Sequence, residues 1–381
     1  MNLEYISHPN CQSNWDVLLK RIKLTNSKKR LIEFRVNIQV MKKFFTFCYL
    51  FFVSLLSFSQ TGLPHIDTLI SGRKTSIRGL SVVNDEIVWV SGSNGTIGKT
   101  TNGGKDWKWY QVKAFEKGDF RDIEAFDATS AVVMAVGEPA YILRTTDGGE
   151  NWKVVYENKG KGMFLDAMAF WNIDAGIVIG DPIDGKLFIA RTFDGGWTWR
   201  AIPEKYRPEA EKGEALFAAS GTCIAPLDRD EAIFVTGGKI SRAFIRDQKI
   251  KLPVLQGKES TGAFSIAVSD HNKLNGGNKM IVVGGDYGAD SISTNNCFYS
   301  ADRGQHWTAP KIPPRGYKSC VDYITEKELI ACGTSGVDYS ADGGDTWTYI
   351  SKEKFHVCRK AKEGRTVYLA GEGGRVAKLV Y

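Results

Sequence analysis

Hydrophobic and polar residues alternate over short runs along most of the chain, and turn residues separate the runs. Residues 119–156 show the plan most clearly: DFRDIEAFD, SAVVMAVGEP, AYILRTT and WKVVYE follow one another, with DGGEN before the last. The runs are rich in β-branched and aromatic residues, and no stretch keeps a helical period long enough to matter. The pattern predicts four short β-strands in each such unit.

One short motif recurs along the chain and marks the third turn of each unit. It reads TTNGGKDW, TTDGGENW, TFDGGWTW, SADRGQHW and SADGGDTW. The third residues of these copies lie 45, 47, 108 and 40 residues apart, so the long interval spans two units and one copy is missing. Residues 233–254 keep the flanking strands in that gap without the glycines and the tryptophan. Internal repeats of this length indicate solenoids, propellers or arrays.

Four antiparallel strands per unit, repeated radially, make a β-propeller. The last unit ends with its third strand, RVAKLVY, whereas HIDTLIS precedes the first unit and has no partners of its own. The predicted fold is therefore all-β, a seven-bladed β-propeller of four-stranded antiparallel blades whose last blade is closed by the N-terminal strand. First strands are expected to start near Ile77, Phe120, Phe164, Leu216, Phe264, Tyr317 and Phe355.

The recurring motif suits a tight hairpin turn between the third and fourth strands. Glycines supply positive φ angles, the Asp or Asn side chain accepts turn N–H groups, and the tryptophan fills space between strands or blades. Calcium or sugar binding is the alternative, although one carboxylate per turn is a poor cation cage, and we expect no metal. The structural positions are Asn102, Trp107, Asp147, Trp152, Asp194, Trp199, Asp302, Trp307, Asp342 and Trp347.

The motif Ser/Thr-x-Asp-x-Gly-x-x-Trp is that of the Asp-box, or bacterial neuraminidase repeat. Units such as VVMAVGEPAYILRTTDGGENW closely resemble the photosystem II stability and assembly factor type of repeat. The resemblance covers about residues 65–381 and implies a seven-bladed propeller that often acts as an assembly or interaction platform. It does not imply photosynthesis, and the fourth blade departs from the pattern because it lacks the motif.

Positive charge is concentrated at the amino-terminal end of the chain. Residues 1–59 carry nine Lys/Arg and three Asp/Glu, so residues 60–381 are nearly neutral and offer no basic surface for nucleic acid. The run MKKFFTFCYLFFVSLLSFSQ from Met41 has the features of a signal peptide. We expect residues 1–40 to be a non-native upstream extension, 41–59 a signal peptide and 60–381 one exported propeller in the periplasm or outside the cell. A permanent membrane anchor is the alternative, and we expect no stable membrane insertion.

Five cysteines follow the leader, an odd number that argues against a dense disulfide framework. Cys320 and Cys332 lie six residues either side of Thr325–Lys327, so a hairpin centred there would place them opposite each other. They form either a disulfide or two small buried thiols.

Unexpected polar residues gather where the propeller would place the face opposite the Asp-boxes. That face receives the starts of first strands and the loops after second strands, and buried charges there are costly unless paired or used. We expect a ligand to bind at the channel mouth, walled by residues 201–215 and 285–298, with Arg242 and Arg359 adding to it. The ring comprises Arg78, Arg121, Asp122, Glu124 and Asp166 on first strands, Glu138, Asp181, Asp184, Asp286 and Tyr287 in loops, and Glu214 between blades.

The first functional interpretation is an exported, monomeric binding or assembly protein without a cofactor, recognising a protein partner or a glycan on that face. Arg78, Arg121, Asp184, Asp286 and Tyr287 would bind the ligand. The two arginines would take an anionic group, and Asp122 and Asp166 would hold them by bidentate pairing.

The alternative interpretation is a carbohydrate-active hydrolase that uses two facing carboxylates on the same face. A sialidase is the less favoured form of it, because the Phe/Tyr-Arg-Ile-Pro opening of sialidases is absent: Arg78 precedes a glycine and Arg121 an aspartate. The candidate catalytic residues are Asp122, Asp166, Asp181 and Glu214.

Overall fold

A computed structural model describes residues 62–227, 230–269 and 277–381, together with Lys28. Apart from Lys28, the proposed upstream extension, the signal peptide and the expected mature start near Gln60 lie outside the described residues. Among the residues that are described, no helix is long and apolar enough to cross a membrane.

The described chain forms seven β-sheets, which are the seven predicted blades, and the fold prediction is confirmed. The first strand along the chain, β1 (His65–Ile70), belongs to blade 7. Blade 1 contains β2 (Ile77–Val82), β3 (Val88–Gly92), β4 (Thr96–Thr100) and β5 (Lys108–Gln111). Blade 2 contains β6 (Phe120–Ala125), β7 (Ala131–Ala135), β8 (Ala140–Thr145) and β9 (Lys153–Asn158). Blade 3 contains β10 (Leu165–Phe170), β11 (Gly176–Ile183), β12 (Lys186–Thr192) and β13 (Arg200–Ala201).

A short 3-10 helix (Glu204–Tyr206) and β14 (Glu214–Ala215) follow blade 3. Blade 4 contains β15 (Ile224–Pro226), β16 (Ala232–Val235), β18 (Arg242–Ile245) and β19 (Gln248–Lys251). The sheet of blade 5 contains β14, β17 (Gly237–Gly238), β20 (Thr261–Val268), β21 (Met280–Asp286) and β22 (Cys297–Ser300). Blade 6 contains β23 (Cys320–Tyr323), β24 (Leu329–Gly333), β25 (Gly336–Ser340) and β26 (Thr348–Ser351). Blade 7 contains β27 (Val357–Lys360), β28 (Val367–Ala370), β29 (Val376–Val380) and β1.

The two ends of the propeller close blade 7. Strand β1 pairs antiparallel with β29, in a register that runs from His65 opposite Val380 to Ile70 opposite Val376. The pairing supplies the fourth strand that the carboxy-terminal unit lacks, so the outer edge of β29 is covered by hydrogen bonds.

The start predicted for the first strand of blade 4 at Leu216 is wrong. That strand begins at Ile224 instead, whereas Leu216 follows β14, which pairs with β17 in the sheet of blade 5. Apolar character alone suited Leu216 to a strand, but small residues and a glycine follow it and form turns. The chain between these points crosses the centre of the molecule, as described below.

Each Asp-box closes its turn with one repeated set of hydrogen bonds. In blade 2, Thr145 Oγ1 donates to Asp147 Oδ1 over 2.9 Å and accepts the N–H of Gly149 over 3.1 Å. Asp147 Oδ1 also accepts the N–H of Asn151 over 3.0 Å, and these donors hold the pKa of Asp147 at about 2. The equivalent bonds recur at the other four boxes, at Asn102, Asp194, Asp302 and Asp342.

Cations on third strands tie the box turns of blades 2 and 3 to the preceding blade. Lys99 of blade 1 donates to the carbonyl oxygen of Gly148 in the box of blade 2 over 2.8 Å. Arg144 of blade 2 donates in the same way to the carbonyl oxygen of Gly195 in the box of blade 3. Trp152 packs edge-on against Trp89 of blade 1, with ring centroids 6.4 Å apart. The boxes are therefore engaged in turn closure and blade packing.

The predicted hairpin of blade 6 places Cys320 directly opposite Cys332, as expected from its sequence. Both are free thiols and fully buried, so the alternative of a disulfide between them is not what the structure shows. The thiol of Cys320 instead donates to the carbonyl oxygen of Cys358 on the neighbouring blade over 3.2 Å.

Candidate functional site

Residues 216–222, which we call the channel plug, cross the central channel at the level where the inner strands begin. The plug makes hydrogen bonds to residues of six blades: its partners are Arg78, Arg121, Asp181, Ser265, Ser319 and Arg359. Six of its seven residues are buried, and Phe217 stacks on Phe264 of blade 5 with ring centroids 3.8 Å apart. The chain itself thus fills the channel at the end opposite the Asp-boxes.

Three arginines on inner strands donate to plug carbonyl oxygens: Arg78 on β2, Arg121 on β6 and Arg359 on β27. Arg78 Nη1 donates to the carbonyl oxygen of Ala219 over 3.1 Å, and Arg121 Nη1 to that of Ala218 over 3.5 Å. Arg359 Nη2 donates to the carbonyl oxygen of Gly221 over 3.4 Å. Each guanidinium therefore already has an oxygen of this chain as a partner.

The expected pairing of these arginines with Asp122 and Asp166 is wrong. Arg121 Nε instead pairs with Asp119 over 2.7 Å. Asp122 Oδ1 and Oδ2 accept the N–H groups of Ile123 (2.9 Å) and Met168 (2.7 Å), and so link two neighbouring inner strands. The backbone groups of the adjacent strands are nearer to this carboxylate than the guanidinium groups are, which explains the difference.

Close packing at Asp122 requires the glycine of the plug. Gly221 adopts a φ of +67°, and a Cβ added there would lie 2.3 Å from Asp122 Cγ. Burial under the plug raises the pKa of Asp122 to about 8, although Arg359 and the amide of Met168 favour the charged form.

Asp166 and Asp181 lie at the same end of the channel. Both oxygens of Asp166 are buried, and burial followed by the charge of Asp181 raises the pKa of Asp166 well above the usual range, while the backbone amides of Asp181 and Ala218 oppose the rise. Asp181 Oδ1 accepts the N–H of Leu216, and burial raises the pKa of Asp181 also. Asp166 is fully buried and Asp181 half-buried, and both lie next to the plug.

Glu214 and Arg242 form a separate buried pair. The side chain of Glu214 is 0% exposed, and its Oε1 accepts from Arg242 Nε over 2.9 Å and from Thr236 Oγ1 over 2.5 Å. Arg242, which we expected near the channel, lies on β18, the third strand of blade 4, and its guanidinium lies over the ring of Phe244. Glu214 is therefore locked to an arginine, the arrangement of a structural carboxylate rather than of a catalytic acid.

The remaining predicted residues are distributed over turns. Asp286 ends β21 and lies 3.6 Å from the ammonium group of Lys258, while Tyr287 is 54% exposed beside Phe217 and Tyr317. Asp184 is an exposed turn residue between β11 and β12, at a φ of +51°. Glu138 accepts the N–H of Gly162. The predicted ring is therefore not one cluster, and its ligand-binding role stays a prediction.

A cavity of about 580 Å³ occupies the other end of the channel, on the side of the Asp-boxes. It is lined by the second halves of the inner strands and by the turns that follow them, so every blade contributes. Apolar lining comes from Val83, Phe170, Trp171, Ile173 and Ile324, among others.

Two of the charged groups that line this cavity make bonds to another blade. Lys362 of blade 7 pairs with Glu124 of blade 2 and donates to the carbonyl oxygen of Ala125 over 2.9 Å. Asp322 Oδ2 accepts the N–H of Lys360 over 2.8 Å, and burial raises the pKa of Asp322 to about 6 while Arg359 opposes the rise. The cavity thus combines an apolar wall with charges of both signs.

Sequence reasoning missed the plug and the cavity. It identified Glu124 but assigned it to the opposite face, and it passed over Asp322 and Lys362. The one available signal for the plug is length: 24 residues separate Trp199 of the third box from Ile224, and AASGT within them is rich in small turn-forming residues.

Comparison with known proteins agrees with this architecture. Residues 73–204 match the profile of the family described as Photosynthesis system II assembly factor YCF48. A solved structure described as YCF48 bound to D1 peptide has a TM-score of 0.58 at 16% identity, over 84% of this chain and 96% of its own. YCF48 from Cyanidioschyzon merolae has a TM-score of 0.61 at 14% identity, over 83% of this chain and 99% of its own. No curated protein sequence matches the chain.

Identities this low establish a shared fold and nothing finer. The sequence match nevertheless covers the Asp-boxes of the first three blades, which are the residues that carry the resemblance. The chain is therefore a seven-bladed β-propeller similar in fold to YCF48, and its residues 73–204 carry the sequence pattern of the YCF48 family.

Proposed function

We propose that this propeller is an assembly or binding protein that takes up a segment of a partner protein in the channel cavity on the Asp-box side. The observation that carries the proposal is the cavity itself, which is the size of a small-ligand or side-chain pocket and has an apolar wall with a few placed charges. A solved relative in fold is described as bound to a peptide, which supports a protein ligand over a glycan.

The opposite face is a weaker candidate for the site, although the sequence favoured it. The plug occupies the channel there, and Arg78, Arg121 and Arg359 each donate to a plug carbonyl. A ligand would have to displace those buried contacts before it reached the guanidinium groups. Hydrolysis is also disfavoured, because Asp122, Asp166 and Glu214 are all buried rather than aligned along a cleft.

The test is a selection of peptides from a displayed random library on the purified chain, followed by binding measurements on variants. Val83→Trp and Pro226→Trp each add a large ring at the cavity wall and should weaken the selected peptides at least about tenfold. Tyr287→Ser, at the opposite end, is the matched control and should leave binding unchanged.

Two results would overturn the proposal. Loss of binding in Tyr287→Ser with normal binding in both tryptophan variants would place the ligand on the opposite face. Failure to select any peptide, together with saturable binding to an array of glycans, would replace the protein partner by a carbohydrate. Thermal unfolding of each variant establishes that a lost signal does not reflect a lost fold.

A further inference from the structure

The box of blade 3 differs from the other four boxes at its two exposed variable positions. The first of these positions holds Thr101, Thr146, Ala301 and Ala341 in blades 1, 2, 5 and 6, and the second holds Lys105, Glu150, Gln305 and Asp345. In blade 3 they hold Phe193 and Trp197, which are 64% and 42% exposed. The box turn closes equally well without these rings, so turn formation does not explain them.

A third exposed apolar side chain belongs to the same end of the blade. Ile173, in the turn between β10 and β11, is 69% exposed. This turn is bonded to the box turn, because the N–H of Gly195 donates to the carbonyl oxygen of Asp174 over 2.8 Å. Ile173 also lines the channel cavity. We call Ile173, Phe193 and Trp197 the blade 3 patch, and it adjoins the cavity of the proposed function.

Two cations lie over the indole of Trp197. Arg144 Cζ is 4.7 Å and Lys153 Nζ is 5.7 Å from the ring centroid. Neither group is within 4.0 Å of a carboxylate oxygen among the described residues, although Asp194 and Asp127 are near enough to favour the charged form of Arg144. Arg144 Nε is buried without a hydrogen-bond partner among the described residues. Exposed apolar surface bordered by cations is complementary to apolar side chains next to a carboxylate.

We infer that the blade 3 patch is a docking surface for a partner-protein segment that presents large apolar side chains beside an acidic residue. The inference rests on the proposed function, because the same segment would continue into the cavity past Ile173. Aromatic anchors next to an arginine are the side chains that dominate binding energy at protein interfaces. The side chains of the blade 3 patch thus indicate the chemistry of the partner segment, which the lining of the cavity alone does not indicate.

The internal repeats supply the test variant. Phe193→Thr with Trp197→Glu gives blade 3 the residues that blade 2 carries at Thr146 and Glu150, so the turn chemistry is preserved. The probe is a fluorescent peptide of about a dozen residues that alternates leucine with serine and ends in aspartates. One control peptide ends in lysines, and another has serine in place of each leucine.

The leucine–aspartate peptide should bind the wild-type chain, and the double variant should bind it at least about tenfold more weakly. Both control peptides should bind the wild-type chain weakly. Ile292→Thr, which removes an exposed apolar side chain elsewhere, should leave affinity unchanged. Equal affinity of the double variant and the wild-type chain overturns the inference, as does equal affinity for the aspartate and lysine peptides or no binding up to about millimolar peptide.

Two further arms separate this inference from its neighbours. Cosedimentation with vesicles of anionic phospholipid tests whether the patch binds a membrane. If the Phe193→Thr, Trp197→Glu double variant loses vesicle binding but keeps peptide binding, the assignment of a protein partner is overturned. Val83→Trp and Pro226→Trp test the cavity independently. If they leave peptide binding intact while the double variant abolishes it, the blade 3 patch stands and the cavity proposal fails.

Discussion

At the scale of single residues, the central channel contains carboxyl groups that are buried beneath the channel plug. Asp122 is the clearest case, because it joins two inner strands through their amides and touches the plug at Gly221. A carboxyl in such a place costs folding energy when it is charged and costs little when it is protonated. Its protonation is therefore linked to stability.

Asp122→Asn should reduce the amount by which the free energy of unfolding falls between about pH 5 and pH 8. The pKa of Asp122 is raised to about 8 in the folded chain, against about 3.9 when unfolded, so the folded state binds more protons across that window. The free energy of unfolding of the wild-type chain consequently falls as pH rises from about 4 to about 8. Urea unfolding of wild type and variant at about pH 5 and about pH 8 measures how far the free energy of unfolding falls with pH. An equal fall for the two proteins would refute the linkage.

The residues of the predicted ring show how far sequence reasoning reaches at this scale. Arg78 and Arg121 direct their guanidinium groups at the channel plug, and their role in binding a ligand stays a prediction. Their partners were not predictable, since Ala218 and Ala219 supply backbone oxygens and a backbone carbonyl has no sequence signature. Conversely, the sequence shows that Phe193 and Trp197 differ from the equivalent residues of the other boxes. Only the structure shows that these two side chains are exposed.

At the scale of elements, strands follow from periodicity, while irregular segments are set by tertiary contacts. Strands β2 and β6 begin where the alternation of residues predicted, at Ile77 and Phe120. Blade 4 fails this test because Leu216 is apolar for another reason, namely burial in the plug. The segment before blade 4 is held by β14, whose Glu214 pairs with Arg242 of β18.

Breaking the Glu214–Arg242 pair should destabilise the connection into blade 4. Arg242→Met leaves the buried charge of Glu214 unpaired and should cost about 3–5 kcal/mol of unfolding free energy. Glu214→Gln should cost less, because Arg242 keeps the exposed Glu211, 3.8 Å away, as a partner. The double variant should cost less than the sum of the two, because no charge is stranded. Chemical denaturation of the four proteins gives the coupling, and additive effects would show that the two groups do not depend on each other.

At the scale of the whole molecule, ring closure depends on a six-residue strand contributed from the amino-terminal side. β1 covers β29, and Leu69 lies beside the box of blade 1 at Gly104. The sequence predicted this closure because the last unit was visibly one strand short, so counting strands was sufficient.

A chain that begins at Ser71 should melt at a lower temperature than one that begins at Gln60, and it should self-associate. Removing β1 exposes the backbone edge of β29, which can pair with another copy. Thermal unfolding and size-exclusion chromatography compare the two forms at several concentrations. Equal melting temperatures and a single monomeric peak for both would show that β1 is dispensable.

The plug also determines how the molecule unfolds. Repeat proteins whose units touch only their neighbours can lose units one at a time. Here residues 218–221, which precede blade 4, are bonded to Arg78, Arg121, Ser319 and Arg359, residues up to 141 positions away. Those bonds exist only when blades 1, 2, 6 and 7 already surround the centre. None of these four blades can therefore detach without breaking bonds to the channel plug. The propeller is consequently expected to unfold in one cooperative transition, unlike a linear array of repeats.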